Sequence, residues 1–219
     1  MENIMEMENK KVHLGEVSLV GLGRLGLRTA LNLIQTHRGG PQTVYALDAQ
    51  KVSIDDLIFR MYGAEIGEYK VEFLKRLAGK EFNKQIIPIS ENITPYNLNL
   101  IKGDVVCVEI AGGDTLKTTT NIIKKAHDIG AFTISTCGVF GIGGENIIVQ
   151  DISKMDDDHP IVGFLKKKGI IKNHVLVGTG KLIRDWEPVT PYILDQISQA
   201  ITTEILKLLK KKNDTKKSD

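Results

Sequence analysis

Three glycines in Gly21-Leu22-Gly23-Arg24-Leu25-Gly26 are spaced as G-x-G-x-x-G. Glycine in the first place permits a tight turn. In the second it lets backbone approach a phosphate, and in the third it lets a helix pack closely on a strand. The spacing alone is a weak signal, and its context strengthens it. The apolar run Val17–Val20 leads in, and an amphipathic helix leads out whose first turn offers unpaired N–H groups to an anion. Asp48 follows Gly26 by 22 residues, at the end of the next apolar run, where a carboxylate can accept hydrogen bonds from both ribose hydroxyls. Arg60 and Lys70 stand ten residues apart beyond it. A guanidinium and an ammonium together offset polyphosphate charge better than either alone, although a lysine at a helix start is equally what a solvated helix end carries. The chemistry indicated is nucleotide binding, with NAD and ATP both left open. The 36 residues between Asp48 and the next apolar run, at Gln85, exceed what a plain dinucleotide fold uses.

Other residue types exclude more than they suggest. Cys107 and Cys137 are the only cysteines, too few for a four-thiolate zinc site and fitting for a reducing, cytoplasmic protein. Cys107 lies mid-strand and reads as an inert core thiol. Cys137 follows a strand's carboxyl end and either faces a site or belongs to a turn. His13, His37, His127, His159 and His174 show no ligand spacing and read as structural or solvated. No apolar run approaches the ~20 residues of a membrane helix, and the acidic start, Met1 to Glu8, does not read as a signal peptide. Net charge is +2, but residues 207–219 carry six lysines and two aspartates, so the remainder is about −2. Aromatics are few and not interleaved with basic residues, which argues against nucleic acid.

These residues need a scaffold, and the pattern supplies one. Short β-branched runs predict strands at 17–20, 43–47, 85–89, 105–110, 132–135, 146–150 and 174–177. Helical periodicity predicts helices over about 24–37, 67–78, 117–129 and 191–211. The alternation implies an α/β fold, a doubly wound, mostly parallel sheet with helices on both faces. A single domain over 1–211 is expected, with 151–173 as a loop excursion and 212–219 as a disordered lysine-rich tail. The last helix is apolar on more than one stripe (Ile193, Ile197, Ile201, Ile205 and Leu208, with Leu194, Ala200, Leu206 and Leu209), which suggests a homodimer.

The motifs together resemble the ThiF/MoeB/HesA superfamily of E1-like, ubiquitin-activating-type enzymes. Its pattern is G-x-G-x-x-G, D-x-D-x-V, S-N-L-x-R-Q, then I/V-G-x-x-K. Here these places hold the glycine loop, Asp48 to Val52, Asp56-Leu57-Ile58-Phe59-Arg60, and Ile66-Gly67-Glu68-Tyr69-Lys70. Asp104–Glu109, Phe132–Gly138 and Gly144–Val149 are similar to later family strands, so the resemblance spans about 15–150 plus the terminal helix. It implies ATP-dependent adenylation of a carboxylate. Gly21, Gly23, Arg24, Gly26, Asp48 and Asp56 would line the nucleotide site, with Arg60 and Lys70 as catalytic phosphate contacts at polar positions outside the strands. For Mg²⁺, Asp114 is the nearest acid to the family's aspartate, while direct alignment puts Gly112 there and Asp48 is an alternative. Gln50 replaces the second acid of D-x-D, Asp56 replaces the asparagine, and Arg60 comes one residue late.

The chain also lacks the family's two C-x-x-C pairs and its crossover-loop cysteine. These absences resemble the branch of the superfamily that serves assembly of a methanogen hydrogenase's iron-guanylylpyridinol cofactor. That resemblance implies guanylylpyridinol as the carboxylate substrate and a thiol-bearing acceptor protein. Activation of a ubiquitin-like protein's C-terminus and NAD-dependent oxidoreduction remain the alternatives.

Overall fold

The structure, a computed structural model, describes residues 4, 13–79, 84–111, 114–183 and 188–216. Its elements run β1 (Glu16–Val20), α1 (Arg24–Gln35), β2 (Thr43–Leu47), α2 (Leu57–Met61), α3 (Lys70–Ala78) and β3 (Gln85–Ile89). They continue with β4 (Val105–Val108), α4 (Thr115–Asp128), β5 (Phe132–Thr136), β6 (Ile148–Asp151), α5 (Pro160–Lys167), β7 (His174–Gly178) and α6 (Pro191–Lys216). One seven-stranded sheet has the order β3-β2-β1-β4-β5-β7-β6. Every pairing is parallel except that of β6 with β7. This is the doubly wound α/β arrangement that the alternation implied.

Strand side chains divide by period two. On one face Val17, Leu19, Val44, Ala46, Val105 and Cys107 pack with residues of α1, α3 and α6. On the other, Val20, Leu47, Val106 and Val108 pack with Ile122 and Ala126 of α4. The central strands are thus buried on both faces, which is why they read as continuous apolar runs. Chain order reverses between β1 and β4, and a crevice opens there at the carboxyl ends of the strands.

Three expectations need correction. Residues 151–173 are not a plain loop. Asp151 accepts hydrogen bonds from Ser153 at a short 3₁₀ turn, and α5 starts on Pro160 and buries Val162 and Leu165 against Cys137 and Leu176. The tail is helical as far as Lys216, because α6 continues past 211, while 217–219 lie outside the described residues. The broad apolar surface of α6 is used within the chain. Ile193, Ile197, Ile201, Ile205, Leu208 and Leu209 are buried in the core shared with α1 and the sheet, so that helix gives no argument for a dimer. Exposed apolar surface gathers instead on and around α2, at Ile54, Leu57, Met61, Tyr62 and Ile66.

Candidate nucleotide site

The crevice holds a cavity of about 370 Å³. Its walls are Val20, Gly21 and Gly23 after β1; Leu47, Asp48, Ala49 and Gln50 after β2; Glu91 to Ile93 after β3; Glu109 to Ala111 after β4; and Thr115 and Thr118 of α4.

The glycine loop is built by contacts rather than by flexibility. Gly21 has φ +98°, and a Cβ there would come within 2.8 Å of the Glu109 carbonyl. A Cβ on Gly26 would strike the Gly21 carbonyl oxygen. Gly23 differs, since its Cβ would meet no protein atom within 4 Å although the residue lines the cavity. Only Gly23 therefore leaves its space to a ligand, as the second glycine of such a loop should. Gly21 N–H donates to Leu47 C=O (2.9 Å), tying the loop to β2.

Asp48 supports this loop from the side. One carboxylate oxygen accepts from Leu22 N–H (2.6 Å) and the other from Gln50 N–H (2.7 Å), so the acid is oriented at the cavity wall. Each oxygen keeps a further lone pair for a ribose hydroxyl. Residues 50–52 pair with 67–70 through Lys70 N–H to Gln50 C=O (3.0 Å), Val52 N–H to Glu68 C=O and Gly67 N–H to Val52 C=O (2.8 Å each). That pairing sets the start of α3 against the cavity wall.

Lys70 is consequently not a surface lysine. It is 4% exposed, and its ammonium pairs with Asp56 (3.0 Å), donates to Gln50 Oε1 (2.9 Å) and lies 5.2 Å from the centre of the Phe59 ring. Burial raises the Asp56 pKa, but hydrogen bonds from Ser53 N–H, the Lys70 ammonium and the Ser53 hydroxyl outweigh it, so the carboxyl lies below its ordinary range. Lys70 reaches the cavity only past Gln50. Arg60 stays outside the lining, on exposed α2, where its guanidinium donates to Ile54 C=O (3.0 Å). Arg24 is exposed at the start of α1, and Asp56 lies behind Lys70; neither lines the cavity. The expected site residues thus divide: Gly21, Gly23 and Asp48 form the wall, Gly26 supports the loop, Lys70 and Asp56 stand one side chain behind it, and Arg24 and Arg60 stand apart.

Asp114 points to solvent, with its side chain 91% exposed and 3.9 Å from Lys117. Gly112, the aligned alternative, lies outside the described residues. The carboxylates that line the cavity are Asp48, Glu91 and Glu109. Glu109 was not singled out from the sequence. It is 8% exposed and accepts from the Thr29 hydroxyl (3.1 Å) and the Cys107 thiol (3.4 Å); burial pushes its pKa up to about 7. Among the described residues, no three acidic, histidine or cysteine side chains gather to hold a metal. The donor set suits Mg²⁺ carried in by phosphates and water with one carboxylate, rather than a cage built by the protein.

Both thiols are shut away. Cys107 is fully buried, and burial together with Glu109 raises its pKa well above the ordinary thiol value. Cys137 packs under α5, and burial pushes it up to about 11. Neither supplies a thiolate at neutral pH. The strand-end position of Cys137 left it open whether it faced a site; it does not line this cavity.

A doubly wound sheet with a glycine loop, an oriented acid and a lysine behind the cavity wall defines a nucleotide-binding protein of the ThiF-like, E1-like class. No family model matches the chain. Comparison with solved structures finds the E. coli tRNA N6-threonylcarbamoyladenosine dehydratase TcdA in complex with AMP at a TM-score of 0.73 and 16% identity, over 92% of this chain and 88% of that one. It also finds guanylylpyridinol- and ATP-bound HcgE from Methanothermobacter marburgensis at a TM-score of 0.89 and 62% identity, over 92% of this chain and 98% of that one. An uncharacterised protein of Methanocaldococcus jannaschii is 45% identical over 207 residues, 94% of this chain and 82% of that protein. The chain belongs to the HcgE family of ThiF-like proteins.

Proposed function

We propose that the protein is an ATP-dependent adenylyltransferase that activates the carboxylate of guanylylpyridinol as an acyl-adenylate. The observation that carries this reading is HcgE, 62% identical over 92% of the chain, with guanylylpyridinol and ATP both bound. The same observation favours ATP over NAD as the occupant of the crevice.

The reaction asks little acid–base chemistry of the chain. A carboxylate oxygen attacks the α-phosphorus, the bond from that phosphorus to the β-bridging oxygen breaks, and pyrophosphate leaves with its electron pair. The nucleophile is already ionised at pH 7, so no general base is required. Catalysis rests on alignment and charge. Backbone at Gly21 and Gly23 receives the phosphates, Asp48 orients the ribose, and Lys70 offsets developing charge once Gln50 yields it. Arg60 joins only if α2 moves toward the nucleotide. Mg²⁺ accompanies the triphosphate and neutralises part of its charge, with Asp48 or Glu109 as the protein's contribution.

Because both thiols are buried and protonated, the activated acyl group leaves for a thiol on a second protein. The exposed apolar surface around α2 suits a second copy of the chain, which makes the protein a homodimer. Among the described residues no helix is long and apolar enough to cross a membrane, and the reading places the protein in the cytoplasm. The test is isotope exchange between pyrophosphate and ATP. Exchange that requires guanylylpyridinol supports the reading. Exchange elicited by a ubiquitin-like C-terminal tail and not by guanylylpyridinol replaces it with the E1-like alternative.

A further inference from the structure

The Lys70 ammonium has two partners of different kind. Asp56 is a carboxylate outside the cavity lining, with its side chain 16% exposed, and is held in turn by Ser53 N–H and the Ser53 hydroxyl (2.9 Å each). Gln50 is a neutral amide on an exposed residue of the wall, held at its own N–H by Asp48. Among the described residues, the negative charge paired with the lysine is therefore set back from the space a polyphosphate would enter. The group between lysine and cavity is one that a phosphate oxygen can replace without separating an ion pair.

From this arrangement we infer that Gln50 is a positioning residue, a neutral gate that holds Lys70 at the wall and yields it to the phosphates, with Asp56 as a permanent counter-ion behind. The inference rests on the ATP-binding reading above. The charge around Lys70, and where it stands, is the variable that matters. An aspartate there would bring a second carboxylate to the same ammonium, turn a neutral pair into a net negative triad, and place that charge at the wall of a site for a polyanion. The ammonium would then be held more firmly in the empty site, and the nucleotide would meet repulsion. Moving the single acid, by combining Gln50→Asp with Asp56→Asn, returns the group to neutrality around Lys70. Asparagine at 56 keeps an oxygen for Ser53, so the turn before α2 retains its acceptor.

The experiment is calorimetric titration of ATP into the wild-type protein, Gln50→Asp, Gln50→Ala and the Gln50→Asp/Asp56→Asn double variant, with thermal melting of each without nucleotide. Gln50→Asp is expected to weaken ATP roughly tenfold or more, the scale of one like charge placed within a side-chain length of the phosphates. Its melting temperature should not fall. Gln50→Ala, which removes the amide without adding charge, should lose less ATP affinity than Gln50→Asp. The double variant, neutral again around Lys70 but with its acid at the gate, should recover only part of the affinity lost by Gln50→Asp. Stability kept while affinity falls, then affinity partly regained by relocating the acid, is a pattern that a purely structural role for Gln50 would not give. Wild-type affinity in Gln50→Asp, or no recovery in the double variant, overturns the inference. Absence of ATP binding by the wild-type protein overturns the reading on which it rests.

Discussion

Replacing Glu109 with glutamine should stabilise the protein at neutral pH and do little in mild acid. The carboxyl is 8% exposed, and among the described residues no cation lies within salt-bridge distance of it; the groups facing it are the Thr29 hydroxyl from α1 and the Cys107 thiol from its own strand. Its folded pKa of about 7 stands above the ~4.3 of an unfolded glutamate. The native state therefore holds a proton that the unfolded chain has already lost. Stability from this group is fully present below about pH 4.3 and is lost as pH rises to 7, by up to about 3 kcal/mol. Glutamine mimics the protonated form at every pH, so the variant should gain up to that amount at pH 8 and almost nothing at pH 4.5. A second group sharpens the test. His174 is fully buried between Ser135 Oγ (2.9 Å) and Thr133 Oγ1 (2.9 Å), and burial lowers its pKa to about 3. Being depressed, it contributes stability above about pH 6.5 that is lost as pH falls. The two groups oppose each other between about pH 4.5 and 6.5, each by about 1.4 kcal/mol per pH unit at most, so their joint contribution to the wild-type slope is small there. Removing Glu109 exposes the histidine slope, and the variant's stability should climb steeply across that window. Urea unfolding followed by circular dichroism from pH 4.5 to 8 reads both effects as midpoint shifts. A stabilisation that is the same at pH 4.5 and pH 8 refutes the argument, because a buried, cation-free carboxylate must show the window.

Lys70→Ala is expected to abolish pyrophosphate exchange and also to destabilise the fold by about 2–4 kcal/mol, since it leaves Asp56 partly buried without its cation. Unfolding at neutral pH checks that cost, and a loss under ~0.5 kcal/mol would deny it. Arg60→Ala changes an exposed residue, so stability should stay within about 0.5 kcal/mol while exchange falls; near-wild-type exchange would remove Arg60 from the site. Cys107→Ser and Cys137→Ser should retain acyl-adenylate formation, and a covalent acyl-enzyme that disappears in Cys137→Ser would contradict this. Light scattering at micromolar concentration should give twice the 24.2 kDa chain mass, and Met61→Asp should return it toward one chain; a wild-type mass of one chain rules the dimer out.

The frame was legible in the sequence because burial on both sides leaves strands no choice of residue. Val17–Val20, Thr43–Leu47 and Val105–Val108 show as apolar runs, and Gly21 to Gly26 punctuates the first strand–helix junction where the structure needs it. The shorter helices were harder to read. Five residues, Leu57 to Met61, complete little more than one turn, too few to show a period. Pro160 with Ile161, Val162, Phe164 and Leu165 did carry a helical stripe, but a charged run just before it read as loop. The broad apolar surface of α6 was hard to assign for a related reason. Breadth of apolar surface counts neighbours, and says nothing of whether they belong to the same chain. Glu109 was invisible for a stronger one. An acid after an apolar strand is usually solvated, and only the folded chain brings Thr29 to it from 80 residues away.

Two of the residues that depart from the superfamily pattern meet in space. Gln50 stands where the pattern has an acid, and Asp56 where it has an asparagine. In the structure these two flank a single ammonium. Read singly, each substitution weakens the resemblance. Read together, they conserve the charge around Lys70 and change only its location, from the cavity wall to the layer behind it. An exchange that keeps one acid beside Lys70 across two positions six residues apart leaves the lysine charged and ordered, with a neutral amide rather than a carboxylate between it and the cavity. The same physics separates Asp114 from Glu109. A carboxylate that is 91% exposed beside Lys117 exerts a screened influence on the cavity, whereas a buried one in the wall acts at close range with little water between. Asp114 is only the nearest acid to the motif position, whereas Glu109 stands in the cavity wall itself. The pH profile of Glu109→Gln measures how strongly this wall resists a negative charge, and the same resistance would meet an aspartate placed at position 50.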